Sequence, residues 1–175
     1  RVVAALQLPT DRARSARPSG HGALVQFDIE PSVLAELKAL ARRENVTLFM
    51  VLLAAFQVLL MRYSGQHDVV VGSPVAGRNR TELEGLIGYF VNSLVLRSDL
   101  SGNPGFVELL ARVRQVCLDA YAHQELPFDK LVAELSPQRD LSRNPLYQVS
   151  FALQNMPTSE LGLGIGRSFL CSCSS

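Results

Sequence analysis

The chain has few cysteines and none of the spacings that bind zinc. Its three cysteines have no histidine or second cysteine at a metal-ligand distance along the sequence. Cys171 and Cys173 are too close together for an ordinary disulfide, and Cys117 falls on the apolar stripe of a predicted helix. We therefore expect neither a zinc site nor a disulfide framework, and we expect Cys117 to be a buried thiol.

The chain also lacks a long apolar run and an excess of either charge. The most hydrophobic stretch, residues 48–61, has 14 residues and includes Gln57. A membrane span needs about 20 residues, so this stretch is predicted to be a buried helix. The 17 basic and 16 acidic side chains leave a net charge of +1, which argues against nucleic-acid binding. With no signal peptide at its start, the chain is expected to be cytoplasmic and to have no membrane partner.

Several catalytic motifs are absent. There is no GxSxG elbow, HExxH, P-loop or paired-carboxylate motif. The GLGIG stretch at 162–166 neither follows a predicted strand nor begins a helix, so a nucleotide site there is not supported. His21, His67 and His123 are far apart in sequence and are predicted to be surface or capping residues.

The hydrophobic periods of the first half predict a strand, two helices and a strand. Residues 23–29 alternate between apolar and polar, which is typical of a half-buried strand. Pro31 begins an amphipathic helix. Thr47 is a good N-cap for the next helix, which is apolar almost all round and is expected to be sandwiched between other elements. Residues 69–71 then form a β-branched run typical of an interior strand.

The second half repeats this order after a polar loop at 76–88. Residues 89–100 predict a strand with two faces, and a helix follows from Asn103. Pro127 breaks or restarts this helix, which continues to Leu135. Alternation from Tyr147 to residue 153 predicts a final strand. The order predicts an α/β chain with helices packed on a sheet, and residues 162–175, which have no period, are expected to be a disordered tail.

Five segments of the chain have motif-like sequences: LPTDR (8–12), the helix and strand at 46–80, LIGYFVNSLVLR (86–97), HQELPFDKLV (123–132) and RDLSRNPL (139–146). In their order and spacing they resemble motifs of the condensation domains of nonribosomal peptide synthetases, where the last three correspond to IGxFVNT, HQDxPFE and RDxSRNPL. Ser93 and Glu125 replace the usual Thr and Asp of two of these motifs, and both replacements keep the hydrogen-bonding chemistry.

The resemblance covers residues 6–161 and implies the C-terminal lobe of a chloramphenicol acetyltransferase-like sandwich, a mixed sheet with helices packed on it. It divides the chain into an inter-lobe linker (1–22), an incomplete lobe (23–161) and an atypical tail (162–175), with truncation expected at both ends. The family's catalytic HHxxxDG is absent from these residues. The parent domain is thus expected to be an enzyme that forms peptide bonds, and the isolated chain is expected to be inactive and to associate or be poorly soluble.

The resemblance also implies partners and substrates. No cofactor is expected to bind directly, since the substrates are carried on the 4′-phosphopantetheine arms of carrier proteins that enter a tunnel between the two lobes. Carrier domains, the missing N-terminal lobe and neighbouring synthetase domains are the implied partners. Two alternatives stay open: an epimerisation or ester-forming relative, and a non-catalytic module that only binds carriers or a complementary lobe.

Three residues are candidates for the tunnel or the lobe interface. Asn92 is expected either to donate to a developing oxyanion or to bond strand-edge backbone. Arg78 is expected either to pair with the Asp of HHxxxDG or to lie solvated in its loop, and Ser93 lies beside Asn92. The other motif residues are predicted to be structural, through a helix kink, core filling and turn capping; they are His123, Pro127, Phe128, Arg139, Asp140, Arg143 and Asn144.

Overall fold

The computed structural model describes residues 4–11, 22–77, 86–88, 90–135 and 144–154, and the backbone of 171–173. Helices and strands alternate in pairs along these residues. The elements are α1 (Pro31–Arg43), α2 (Leu48–Ser64), β1 (Asp68–Val75), β2 (Asn92–Asp99), α3 (Phe106–Ala122), α4 (Phe128–Leu135), β3 (Val149–Phe151) and β4 (Cys171–Cys173).

The described strands form one mixed sheet, as the sequence predicted. Their order is β2-β1-β3-β4, so β1 lies in the interior beside β2 and β3. The β1 strand pairs antiparallel with β2 along its full length and parallel with β3 through Gly72 and Ser150. The run at 69–71 that predicted an interior strand is buried throughout, and its strand lies between β2 and β3, so this prediction is confirmed.

Helices α2 and α3 cover one face of the sheet. Val71 of β1 lies opposite Leu96 of β2, and both side chains are fully buried in the core that these helices complete. Phe151 of β3 packs its ring against Phe49 and Phe56 of α2, with centroids 5.5 and 5.4 Å apart. Such aromatic pairs stabilise a fold by about 0.5–1.5 kcal/mol beyond their buried area.

The caps of α2 are those that the sequence predicted. Thr47 accepts a hydrogen bond from the Met50 N–H at 3.2 Å, and Gly65 ends the helix with a left-handed φ of 69°. Among the described helices, none alone has the length and apolarity of a membrane span. The α1 and α2 helices reach them only together, across a bend of 106°.

The predicted strand at 23–29 is wrong. These residues are not helical, but the four-stranded sheet does not include them, and Val25 and Phe27 are 82% and 68% exposed. The apolar alternation correctly indicates a segment without helical structure. A strand, however, also needs a hydrogen-bonded neighbour, and no described strand lies alongside this segment.

Two other differences concern α2 and the tail. The α2 helix is buried on the side that faces the sheet, but Leu59 and Tyr63 are 50% and 62% exposed, so it is not sandwiched all round. Within the predicted disordered tail, Cys171–Cys173 pair antiparallel with β3. The rest of that tail lies outside the described residues.

Candidate functional site

The candidate site begins at Asn92, the first residue of β2. Its side-chain Nδ2 donates to the carbonyl oxygens of Gln124 and Leu126 at 2.9 and 2.8 Å. Its Oδ1 accepts a hydrogen bond from the Phe128 N–H at 3.1 Å. The FVN segment and the HQELPF segment, which are more than 30 residues apart in sequence, are therefore joined by one amide group.

The turn that Asn92 holds lies between α3 and α4. His123 caps the C-terminus of α3, where its ring Nδ1 donates to the Asp119 carbonyl at 2.9 Å, and the Leu126 N–H bonds back to the His123 carbonyl. His123 is exposed. Pro127 immediately precedes α4, and its carbonyl accepts hydrogen bonds from the N–H groups of Lys130 and Leu131. These contacts join His123 to the end of α3 and Pro127 to the first turn of α4, and the structural roles expected for both residues stay predictions.

Phe128 connects this turn to the next motif. Its half-buried ring lies against the ring of Tyr147, with centroids 5.6 Å apart. Tyr147 in turn covers Gly72 of β1: a Cβ built on Gly72 would lie 2.6 Å from Tyr147 Cδ2 and closer still to Cε2 and Cζ. Gly72 is therefore needed because a ring occupies the space of a side chain.

The end of the RDLSRNPL motif is fixed by amide side chains. Asn144 accepts from the Leu146 N–H at 3.4 Å, a turn-capping contact of the type expected for Asn. Gln148 Oε1 accepts from the Leu6 N–H at 2.7 Å, and this contact holds the buried Leu6 on the lobe. Part of the predicted linker at 1–22 thus packs on the core. Arg78, Arg139, Asp140 and Arg143 lie outside the described residues.

Ser93 does not share the surface of Asn92. In the register of β1 and β2, Asn92 lies opposite Val75 and Ser93 lies opposite Pro74. Because successive side chains of a strand point to opposite faces of the sheet, Asn92 and Ser93 face opposite sides. Ser93 is half-buried on the face away from α2 and α3. The tunnel roles of both residues stay predictions, and the contacts of Asn92 are those of the backbone-bonding alternative.

The chemistry of the other described groups is limited. No three of the described His, Cys, Asp and Glu residues are grouped closely enough to hold a metal ion. Cys117 is fully buried, and burial raises the pKa of its thiol to about 11.

An open cleft of about 350 Å³ lies near the N-terminus of α3, whereas His123 lies at the C-terminus, and Arg62 and His67 line the cleft. Neither Asn92 nor Phe128 lines this cleft, and neither does Gly72 or Tyr147.

Two residues of the site are not predicted by the sequence motifs. Gly72 follows the β-branched run as the end of a predicted strand, and Tyr147 is one of several alternating strand residues. A glycine beside a β-branched run is the available signal, because such a glycine often marks the close approach of another group. We name the set Gly72, Asn92, Phe128 and Tyr147, with the turn at 123–127, the motif cluster.

Comparison with known proteins supports the same family. The family model for the condensation domain matches residues 1–165. The chain is 60% identical over 152 residues to a linear gramicidin synthase protein of Brevibacillus parabrevis, covering 87% of this chain and 2% of that protein. It is 49% identical over 158 residues to a dimodular nonribosomal peptide synthase of Bacillus subtilis strain 168, covering 90% of this chain and 7% of that protein.

Solved structures have the same fold. The X-domain from teicoplanin biosynthesis superposes with a TM-score of 0.81 at 33% identity, over 85% of this chain and 33% of that one; the X-domain has also been solved in complex with OxyB. A four-domain nonribosomal peptide synthetase bound to AMP and glycine superposes with a TM-score of 0.83 at 30% identity, over 90% of this chain and 12% of that one. The chain thus spans a small part of its relatives' length. By its matched residues, its fold and its motif cluster, the chain belongs to the condensation-domain family of nonribosomal peptide synthetases.

Proposed function

We propose that this chain forms one lobe of a domain that makes amide bonds between carrier-tethered substrates in nonribosomal peptide synthesis. The observation that carries the proposal is the motif cluster. Three of the segments that resemble family motifs meet through Gly72, Asn92 and Phe128, and Tyr147, which directly follows a fourth segment, completes the set of contacts. A linear gramicidin synthase protein at 60% identity and a dimodular nonribosomal peptide synthase at 49% identity support the same assignment.

In the proposed reaction an aminoacyl amine on one carrier attacks the thioester carbonyl of an acyl or peptidyl group on another carrier. The C–N bond forms and the C–S bond breaks. The proton lost by the amine is transferred to the sulfur of the released phosphopantetheine arm, which leaves as a thiol. The resemblance assigns the basic or positioning histidine to HHxxxDG on the other lobe. The lobe described here would supply the opposite wall of the tunnel and would have no activity alone.

The test is a hybrid domain in which this chain replaces the matching segment of the Brevibacillus parabrevis linear gramicidin synthase protein. Donor and acceptor carriers are loaded, and dipeptidyl thioester is measured by mass spectrometry. We expect product from the hybrid, and none from the 175-residue chain alone or from a hybrid with an Ala at the second His of HHxxxDG. A folded hybrid that makes no product while the parent synthetase does would refute the proposal.

A second function is favoured by one comparison. The X-domain that superposes on this chain has been solved in complex with OxyB, so a lobe of this fold belongs to a domain that binds a separate protein. A non-catalytic binding module would capture a holo-carrier or an N-terminal lobe without forming product. Binding measured by isothermal titration, together with an inactive hybrid, would select this alternative.

The cytoplasmic location expected from the sequence stays a proposal.

A further inference from the structure

The first turn of α4 receives one hydrogen-bond acceptor from another element. The preceding residue is Pro127, whose side chain has no hydrogen-bond acceptor, and the Phe128 N–H is one of the first-turn donors that an α-helix cannot satisfy internally. The acceptor comes from Asn92 Oδ1, which is 36 residues earlier in the sequence. Asn92 therefore supplies, from another element, the acceptor for one first-turn N–H of α4.

The same amide satisfies the turn before α4. An Asn side chain has two N–H donors, and Asn92 directs Nδ2 at the carbonyls of Gln124 and Leu126. A developing oxyanion needs a donor that is already aimed at it and is not used elsewhere. For Asn92 to supply one, at least one of the turn contacts would have to break.

We propose that Asn92 is a positioning residue for condensation, which fixes the α3–α4 turn on the end of β2, and that it does not donate to the oxyanion. The proposal rests on the function proposed above. We name the three hydrogen bonds of the Asn92 amide the clamp. Through Phe128, the clamp also fixes the position of the Tyr147 ring over Gly72. One amide thus holds the motif cluster together.

Hydrogen exchange in the hybrid domain tests the clamp without any assay of activity. Asn92→Ala removes all three contacts, and we expect exchange at the Phe128 amide to become about tenfold faster, the value of one net hydrogen bond. Amides in the middle of α3, around Val113, should change by less than about twofold, because no clamp contact reaches them. Gln148→Ala is the matched control, because it removes an amide that bonds backbone outside the turn. Unchanged exchange at Phe128 in Asn92→Ala would overturn the clamp.

Activity of the hybrid domain tests the catalytic part. We expect Asn92→Ala to lower kcat about tenfold or more at a temperature where the variant is fully folded, since small displacements near a reacting site cost large factors in rate. Gln148→Ala should keep kcat within about twofold under the same conditions, because it leaves the turn in place. Asn92→Asp retains the acceptor for Phe128 but places carboxylate oxygen against two carbonyls, so it should be no more active than Asn92→Ala.

The outcomes separate the alternatives. A loss of kcat with native exchange at Phe128 would indicate an oxyanion donor, and full activity of Asn92→Asp or Asn92→Ala would overturn the positioning role. Equal losses in Asn92→Ala and Gln148→Ala would also overturn it, because they would indicate general destabilisation. An inactive unsubstituted hybrid would count against the proposed function and the catalytic role, whereas the exchange experiment would still decide whether the clamp exists.

Discussion

Substitution of Gly72 by alanine should destabilise the chain through one aromatic ring. The new Cβ would lie 2.6 Å from Tyr147 Cδ2 and still closer to two other ring atoms, whereas carbon atoms in contact are about 3.5–4.0 Å apart. Tyr147 must therefore move by about 1 Å, a distance that weakens its contact with Phe128. Overpacking of this kind costs about 1–3 kcal/mol, and we expect Gly72→Ala to lower the free energy of unfolding by about 2 kcal/mol.

A double-mutant cycle shows whether Tyr147 is the cause. In a Tyr147→Ala background the ring is gone, so the added Cβ meets no obstacle from it, and Gly72→Ala should cost nearly nothing or stabilise the strand slightly. The coupling energy should be about 1–2 kcal/mol, well above the roughly 0.3–0.5 kcal/mol within which independent sites add.

Urea denaturation followed by far-UV circular dichroism is the appropriate assay, because it does not depend on the tyrosine that is replaced. Gly22→Ala is the matched control, since a Cβ there meets nothing within 4 Å, and it should change stability by less than about 0.5 kcal/mol. Additive costs of Gly72→Ala and Tyr147→Ala would show that the Tyr147 ring is not the cause of the destabilisation. A Gly72→Ala variant with the stability of the unsubstituted chain would refute the prediction itself.

Three further predictions concern the core and its caps. Gln57 is fully buried, and neither polar atom of its amide has a hydrogen-bond partner among the described residues. Gln57→Met should therefore raise the free energy of unfolding by about 1 kcal/mol in urea titrations. A destabilised variant would indicate an internal partner for the amide. Thr47→Ala removes the α2 cap and should cost about 1 kcal/mol in the same titration, whereas a loss below about 0.3 kcal/mol would show that the cap does not matter. The pKa of Cys117 is raised by burial from 9.0 to about 11, so the folded state holds its proton more tightly. Its contribution to stability should be complete below about pH 9 and decline as the pH rises toward about 11. Comparison of the melting temperature against pH with that of Cys117→Ala checks this, and identical slopes would contradict it.

Much of the fold could be predicted because its elements are specified locally. The Thr47 cap, the Gly65 stop and the β-branched run at 69–71 each depend on neighbouring residues, and the structure confirms all three. The strand predicted at 23–29 is wrong because pairing depends on residues that are distant in sequence. The alternating pattern gives the faces of an extended segment and says nothing about its neighbours.

The family could be predicted from motifs whose order and spacing resemble those of condensation domains, and the helices could be predicted from their periods and caps. Three contacts become visible only in the folded lobe: Asn92 bonds the turn at 123–127, Phe128 meets Tyr147, and Tyr147 occupies the space above Gly72. The contacts of Asn92 join residues 32 to 36 positions apart in sequence. No local pattern encodes them, because they exist only once β1, β2 and the α3–α4 turn have packed into one lobe.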